Sequence, residues 1–137
     1  MIGLTLQELS QLYHLKREIK MDCQRLKELE STVLPGAQSI SGMPKGGSDP
    51  RKLELYAVEI ANLHTIIQEK QARCIQERKR LERYISNIPD SLTRQIFTRR
   101  FIDGLSWTQV AVSIGGGNTA GSVRVLCHRY LHRKSKL

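Results

Sequence analysis

Residues 101–119 read FIDGLSWTQVAVSIGGGNT, and this stretch decides the fold of the C-terminal part of the chain. Ser106 and Gln109 have the spacing of a capping box, in which the Ser hydroxyl accepts a hydrogen bond from a first-turn N–H and the Gln side chain returns to the cap. A helix is therefore predicted to begin at Trp107. Its apolar residues recur at helical spacing until Gly115–Gly117, where three glycines end it because they adopt backbone conformations that other residues resist.

A second helix is predicted to follow this turn, capped by Asn118 or Thr119. A further helix is expected in front of the pair, beginning after Asp90 or Ser91 and ending at Gly104. Two short helices around a glycine turn are typical of a helix-turn-helix domain. The apolar positions that share one face of the last helix are Val123, Leu126, Cys127 and Tyr130.

The opposite face of this helix is the one available to a DNA major groove. Helix-turn-helix proteins contact base edges mainly with the N-terminal half of their second helix. Arg124 is the strongest candidate, because its planar guanidinium can bridge guanine O6 and N7. The expected base-contact residues are Ala120, Gly121, Ser122, Arg124, Val125 and His128.

The charge distribution also points to a polyanionic partner. The formal net charge is +9, and residues 89–137 hold eight Lys and Arg against two Asp, a net charge of +6. Nucleic acid is the leading candidate and an anionic membrane surface the second. For the three arginines before Asp103, solvation or pairing inside the domain is an equally good interpretation. The candidate phosphate contacts are Arg94, Arg99, Arg100, Thr119, Arg129, Arg133, Lys134 and Lys136.

Residues 1–88 are predicted to form a long antiparallel helical hairpin. Heptad patterns cover about residues 6–30 and again residues 53–88, separated by a flexible linker rich in Gly, Ser and Pro at residues 31–49. A two-helix hairpin buries little surface, so a homo-oligomer is expected, with a dimer favoured. The predicted oligomerisation seam consists of Leu12, Leu15, Ile19, Leu26, Ile60, Leu63 and Ile67.

Three positions in the heptad patterns are polar, namely Asp22, Lys70 and Glu77. Buried polar residues in such seams fix the register or the oligomeric state, whereas exposed ones mark places where the hairpin frays. Since the sequence assigns them no partners, exposure is the favoured interpretation.

The sequence lacks the patterns of an enzyme, a metal site or a membrane protein. Cys23, Cys74 and Cys127 lie far apart at apolar helical positions and are interpreted as small buried residues in a reducing compartment. His128 and His132 lack further ligands, and no nucleophile is paired with a base. We expect no catalytic residue, no metal and no cofactor. Without a membrane span or a signal peptide, the protein is expected to remain inside the cell that makes it.

Residues 100–111, RFIDGLSWTQVA, resemble the region 4 helix-turn-helix of sigma-70 type factors, in which an Arg, an acidic-Gly pair, Leu-Ser, an aromatic residue and Ile/Val-Ala recur in this order. A longer pattern in this sequence also includes GMPKGG at residues 42–47 and the block at residues 90–119. With this pattern, the chain is similar to small transcriptional regulators of the RinA or ArpU type from Gram-positive phages. The resemblance implies control of late or packaging genes in the cytoplasm of a bacterial host cell. The DNA-melting region 2 of sigma factors has no counterpart here.

The leading hypothesis is a sequence-specific binder of double-stranded DNA that regulates phage transcription and oligomerises through its hairpin. One alternative is a phage small terminase subunit, which serves DNA packaging. Another is a protein-interaction module whose hairpin binds RNA polymerase or a host factor. A dimer favours regulation, and a closed ring favours packaging.

Overall fold

A computed structural model of the chain describes residues 4–33 and 50–135, which contain six α-helices and no strand. The predicted all-α class is thereby confirmed. Of the predicted linker, residues 34–49 lie outside the described residues, while residues 31–33 belong to a helix. The helices are α1 (Leu6–Leu9), α2 (Gln11–Val33), α3 (Pro50–Ser86), α4 (Ser91–Phe97), α5 (Trp107–Ile114) and α6 (Ala120–Ser135).

The predicted first helix is interrupted at Ser10, between α1 and α2. Thr5 caps α1, its side chain accepting a hydrogen bond from the N–H of Glu8 at 3.1 Å. The Ser10 hydroxyl donates to the Leu6 carbonyl at 2.9 Å. A serine hydroxyl that bonds the backbone in this way competes with the helical ladder. The break therefore falls at a residue whose side chain offers the backbone an alternative partner.

The chain divides into two compact units. One unit combines Met1–Leu15 with Cys74–Leu137, and the other is Lys16–Arg73. The expected boundary between residues 88 and 89 is therefore not the boundary found. The physical reason is that Leu9 and Leu12 are buried in the same core as the C-terminal helices.

The core of the first unit is centred on Phe97, whose side chain is completely buried. The Phe97 ring lies 5.3 Å from the Phe101 ring, 5.5 Å from the Tyr130 ring and 6.3 Å from the Tyr84 ring, measured between centroids. Aromatic pairs at such distances add to the stabilisation from burial. The aliphatic part of this core includes Leu9, Leu12, Leu81, Ile85, Ile88, Ile96, Ile102, Val110, Ala111 and Val123.

α4 continues into a π-helical turn over Thr98–Ile102. The N–H of Asp103 donates to the Thr98 carbonyl at 3.0 Å, a bond that spans five residues instead of four. The extra residue in the turn brings the adjacent side chains of Phe101 and Ile102 into the core together. The predicted helix between Asp90 and Gly104 is thus part α-helix and part π-helix.

In the unit Lys16–Arg73, α2 and α3 run antiparallel. Lys70 of α3 pairs with Asp22 of α2, and Glu59, earlier in α3, pairs with Arg25, later in α2. This order of contacts is that of two antiparallel helices. The interpretation of Asp22 and Lys70 as exposed, unpaired positions is therefore incorrect, because the two residues pair with each other and only 23% of each side chain is exposed.

The residues predicted to form an oligomerisation seam are largely used within one chain. Leu12 is 1% exposed, and Leu15 and Ile67 are each 7% exposed. Ile19, Leu26, Ile60 and Leu63 are half-buried. A side chain buried inside one chain cannot also cover a second copy without opening the fold. Leu12, Leu15 and Ile67 therefore pack within one chain, and not against a second copy as predicted.

Candidate nucleic-acid interface

The glycine turn between α5 and α6 is built from local hydrogen bonds. The N–H of Gln109 donates to the Ser106 hydroxyl at 3.2 Å, and Gln109 Oε1 accepts from the N–H of Ser106 at 2.9 Å, which completes the predicted capping box. Gly115–Gly117 all have positive φ, with values of 74°, 65° and 77°. Only glycine adopts three such conformations in succession without strain. The turn therefore requires the three glycines that follow α5.

Of the two candidates, Thr119 caps α6. Thr119 Oγ1 accepts from the N–H of Ser122 at 3.1 Å, and the N–H of Thr119 donates to Ser122 Oγ at 2.9 Å. Asn118 instead closes the turn, its side-chain amide donating to the Gly115 carbonyl at 2.8 Å. The hydroxyl of Ser122, a residue predicted to contact bases, therefore takes part in the helix cap. Thr119, predicted to contact phosphate, has the same capping role.

The inner face of α6 follows the prediction. Val123 and Cys127 are fully buried, Tyr130 is 8% exposed, and Leu126 is half-buried. Burial raises the pKa of the Cys127 thiol to about 12, so the thiol stays protonated at neutral pH. Metal ions bind the thiolate form. Among the residues that the structure describes, no group of three His, Cys, Asp or Glu side chains is arranged to hold a metal ion.

The outer face of the N-terminal half of α6 is open to solvent. Gly121, Arg124, Val125 and His128 are exposed, and Ala120 is half-buried. The side chain of Val125 remains 48% exposed although it is apolar. All six predicted base-contact residues are therefore at least partly exposed, although the hydroxyl of Ser122 is engaged in the cap.

The C-terminal half of α6 carries a concentration of positive charge. Arg129, Arg133 and Lys134 are exposed, and Lys134 Nζ lies 5.7 Å from the centroid of the Tyr130 ring. No acidic residue follows Asp103 in the sequence. Within the described residues, no salt bridge joins a carboxylate to Arg124, Arg129, Arg133 or Lys134. Among residues 4–33 and 50–135, the positive charge of these arginines and this lysine is therefore not neutralised by an ion pair. Lys136, also predicted to contact phosphate, lies outside the described residues.

Arg94 has a structural role that the sequence did not reveal. Its guanidinium Nη1 donates to the Ile88 carbonyl at 2.7 Å and to the Pro89 carbonyl at 3.1 Å. Both carbonyls follow the C-terminal end of α3, where helical partners are missing. Arg94 is therefore half-buried against the link between α3 and α4, a structural role beside which its assignment as a phosphate contact stays a prediction.

Arg100 is likewise engaged inside the domain. Its Nη1 donates to the Leu105 carbonyl at 2.9 Å, and its guanidinium lies 4.5 Å from the centroid of the Trp107 ring. The Trp107 ring lies 6.4 Å from the His128 ring of α6. Arg100 thus joins the π-helical turn to the start of α5, and Trp107 extends this contact to the candidate DNA-reading helix.

Arg99 forms a salt bridge with Asp103 at 3.2 Å, and half of its side chain remains exposed. This pairing inside the domain was one of the two interpretations open from the sequence. An exposed ion pair is weak and is readily exchanged for another partner. Of the three arginines before Asp103, Arg99 is therefore the one still available to a phosphate.

An open groove of about 1730 Å³ runs along α6. Its lining includes Arg124, Val125 and His128, together with Leu4 and Pro89. The contribution of the N-terminal segment could not be predicted from sequence, because no local pattern links Leu4 to a helix more than a hundred residues later in the chain. The groove beside the outer face of α6 is therefore formed in part by the first described residues.

No helix in residues 4–33 or 50–135 has the length and apolar character needed to cross a membrane. No protein-family model, curated protein or solved structure matches the chain.

Proposed function

We propose that the protein is a sequence-specific binder of double-stranded DNA that regulates phage transcription, with α5 and α6 acting as a helix-turn-helix. The observation that carries this proposal is the exposed outer face of α6. Gly121, Arg124 and Val125 are exposed in its N-terminal half, and exposed cations follow in its C-terminal half. This order suits a helix whose first turns contact base edges and whose remainder contacts phosphates.

Gly121 supports a close approach of DNA to α6. A Cβ atom added at this position would meet only Thr119 Oγ1, at 3.9 Å, which is an ordinary van der Waals contact. Glycine inside a helix is destabilising by roughly 0.5–1 kcal/mol relative to alanine. The packing of the chain therefore gives no reason for a glycine here, whereas contact with the wall of a DNA groove does.

The cations divide into two groups with different roles. Arg124 is the residue that discriminates between base pairs, and Arg129, Arg133 and Lys134 contact phosphates. Arg94 and Arg100 hold the helices in position from inside the domain. The proposal also includes control of phage genes, RNA polymerase as a further partner, a homodimeric state and location in the cytoplasm of a bacterial host. These parts rest on the family resemblance and on the heptad patterns.

Titration of labelled duplex DNA from the genomic neighbourhood of this gene tests the proposal, with binding followed by fluorescence anisotropy at several salt concentrations. The three exposed cations of α6 assigned to phosphates predict that log K falls with log salt with a slope of roughly −3 for each bound α6. A double substitution, Arg129→Gln with Arg133→Gln, should reduce the magnitude of this slope by about 2. The matched control is Arg78→Gln, which removes an exposed arginine of α3 that pairs with Glu82.

Absence of salt-dependent affinity for any duplex would exclude the proposal and leave the protein-interaction module as the better explanation. Affinity that is equal for all duplexes would exclude sequence-specific regulation. Transcription by purified host polymerase from the bound promoter then gives the direction of regulation. If the protein assembles into a closed ring instead, the DNA-packaging alternative replaces the regulatory one.

A further inference from the structure

The groove along α6 has one wall that α6 does not supply, and this wall is largely apolar. It includes Leu4, Leu6 and Pro89, whose side chains have no hydrogen-bonding group. Leu6 is 43% exposed, although it is a large apolar residue. All residues that line the groove belong to the unit that combines Met1–Leu15 with Cys74–Leu137. An apolar surface within one compact unit is therefore open to a ligand.

The polar side chains of this wall serve helix caps. Thr5 caps α1, and Asp90 caps α4. Asp90 Oδ2 accepts hydrogen bonds from the N–H of Thr93 at 3.0 Å and from Thr93 Oγ1 at 2.7 Å. A DNA phosphate placed against this wall would meet the Asp90 carboxylate and apolar side chains, and neither replaces its hydration. The wall therefore suits an apolar ligand surface better than a DNA backbone.

α6 forms the opposite wall and combines apolar residues with cations. Leu126, Arg129 and Arg133 recur at intervals of three and four residues, so they share one side of the helix. Leu126 is half-buried, and both arginines are exposed. Within the described residues, neither arginine forms a salt bridge with a carboxylate. The α6 side of the groove therefore offers positive charge next to apolar surface.

We propose that this groove binds an acidic amphipathic helix of a partner protein. The apolar residues of the helix contact Leu6 and Leu126, and its carboxylates pair with Arg129 and Arg133. Amphipathic helices bind apolar grooves through anchors at i, i+3, i+4 and i+7, and opposite charges beside the groove select the partner. The groove volume of about 1730 Å³ suits such a ligand, since sites for small molecules usually have about 300–1,000 Å³.

The acidic helix and DNA exclude one another in this arrangement. Arg129 and Arg133 are the phosphate contacts of the proposed function, and Arg124, the candidate base contact, also lines the groove. A ligand that pairs with these arginines leaves them unavailable to DNA. This exclusion rests on the proposed function, whereas binding of the helix does not. The partner protein therefore acts as a negative regulator of DNA binding.

Fluorescence anisotropy of the full chain with a labelled synthetic peptide of Leu, Glu and Ala tests the proposal. The leucines of this patterned peptide follow the i, i+3, i+4, i+7 spacing, and a control peptide of the same composition has them scattered around the helix. The wild-type protein should bind the patterned peptide more tightly. Leu6→Ala should raise its Kd by about fivefold, because the variant removes apolar contact area but keeps helix propensity.

The matched control variant is Leu55→Ala, which alters a leucine of α3 that is 67% exposed and lies outside the groove. It should bind the patterned peptide like the wild type, and circular dichroism should show unchanged helix content in both variants. Failure of the wild type to prefer the patterned peptide, or equal peptide affinity of Leu6→Ala and Leu55→Ala, would overturn the proposal. An equal loss of DNA affinity in Leu6→Ala would also overturn it, because the groove would then belong to the DNA-binding surface.

Competition with duplex DNA tests the exclusion separately. Excess patterned peptide should release a labelled duplex, and Arg129→Gln with Arg133→Gln should weaken the binding of both ligands. A duplex that stays bound at saturating peptide would refute the exclusion. Peptide binding that depends on Leu6, in a protein that binds no duplex, would support the groove and exclude the proposed function.

Discussion

Lys70 Nζ lies 2.6 Å from Asp22 Oδ2, and the same ammonium group lies 3.3 Å from Glu18 Oε1. Lys70 and Asp22 occupy polar positions in the two heptad patterns, so the polar residue of one helix is the partner of the polar residue of the other. Sliding one helix by a turn would leave both charges partly buried and unpaired, which is costly. The pair therefore specifies the register of α2 on α3.

A double-mutant cycle with Asp22→Asn and Lys70→Met should measure a coupling free energy of about 1 kcal/mol in chemical denaturation. The hydrogen bond to Asp22 is the main cause of a raised pKa for Lys70. The stabilisation should therefore be complete below the ordinary lysine value of 10.5 and decline as the pH rises through the folded-state pKa.

The control for this cycle is the Arg25–Glu59 pair, which joins the same two helices but is 57% and 45% exposed. Its coupling should stay under about 0.5 kcal/mol, because water and salt screen exposed charges. Equal coupling free energies for the two pairs would show that partial burial does not strengthen the Lys70–Asp22 interaction.

Gly121→Ala should separate stability from DNA binding. The added methyl group has room and improves helix propensity, so the free energy of unfolding should rise by about 0.5–1 kcal/mol. The same methyl group should weaken DNA binding if α6 approaches the groove closely. Thermal denaturation and anisotropy titration of one preparation measure both effects. Unchanged DNA affinity would mean that Gly121 does not contact DNA.

Arg124→Ala should lower the preference for the specific site more than it lowers non-specific affinity. A bidentate contact to guanine contributes about 1–3 kcal/mol of discrimination. Competition titrations with specific and scrambled duplexes measure the ratio of affinities. Arg129→Ala is the comparison, since loss of a phosphate contact should weaken both duplexes alike. The same uniform loss for Arg124→Ala would make Arg124 a phosphate contact.

Arg100→Lys should destabilise the first unit by about 1–2 kcal/mol although the charge is kept. A lysine ammonium cannot both donate to the Leu105 carbonyl and stack on Trp107 as the guanidinium does. Arg99→Lys, at the exposed pair with Asp103, should change the free energy of unfolding by less than about 0.5 kcal/mol. If both variants unfold alike, the internal role of Arg100 is refuted.

Tyr84→Phe should leave the free energy of unfolding unchanged or raise it by up to about 1 kcal/mol, because the buried Tyr84 hydroxyl has no hydrogen-bond partner among the described residues. Burial also raises the pKa of Tyr84 to about 12 from the ordinary value of 10.0. The folded state therefore resists ionisation, and the wild-type protein should lose stability as the pH rises above 10.0. The variant should lose less over the same range, and an equal loss would contradict this account.

Local features of the interface were predictable from sequence because they depend on neighbours in the chain. The capping box at Ser106 and Gln109 and the end of α5 at Gly115 each need only a few consecutive residues. The apolar period of α6 likewise predicts that Val123 and Cys127 turn inward and Arg124 turns outward. The π-helical turn after α4 was not predictable, since it depends on how Phe101 and Ile102 fit the core.

The sequence by itself therefore determined where α5 and α6 lie, the capping box of α5 and the faces that these two helices bury, because these follow from hydrogen bonds and periodicity over a few residues. Only the tertiary structure decided which distant groups meet. It paired Lys70 with Asp22, turned Arg94 and Arg100 inward, and brought Leu9 and Leu12 into the core beside α6. Partners far apart in the chain are selected by the burial of apolar surface and by the satisfaction of buried charges, and neither requirement can be read from a local pattern.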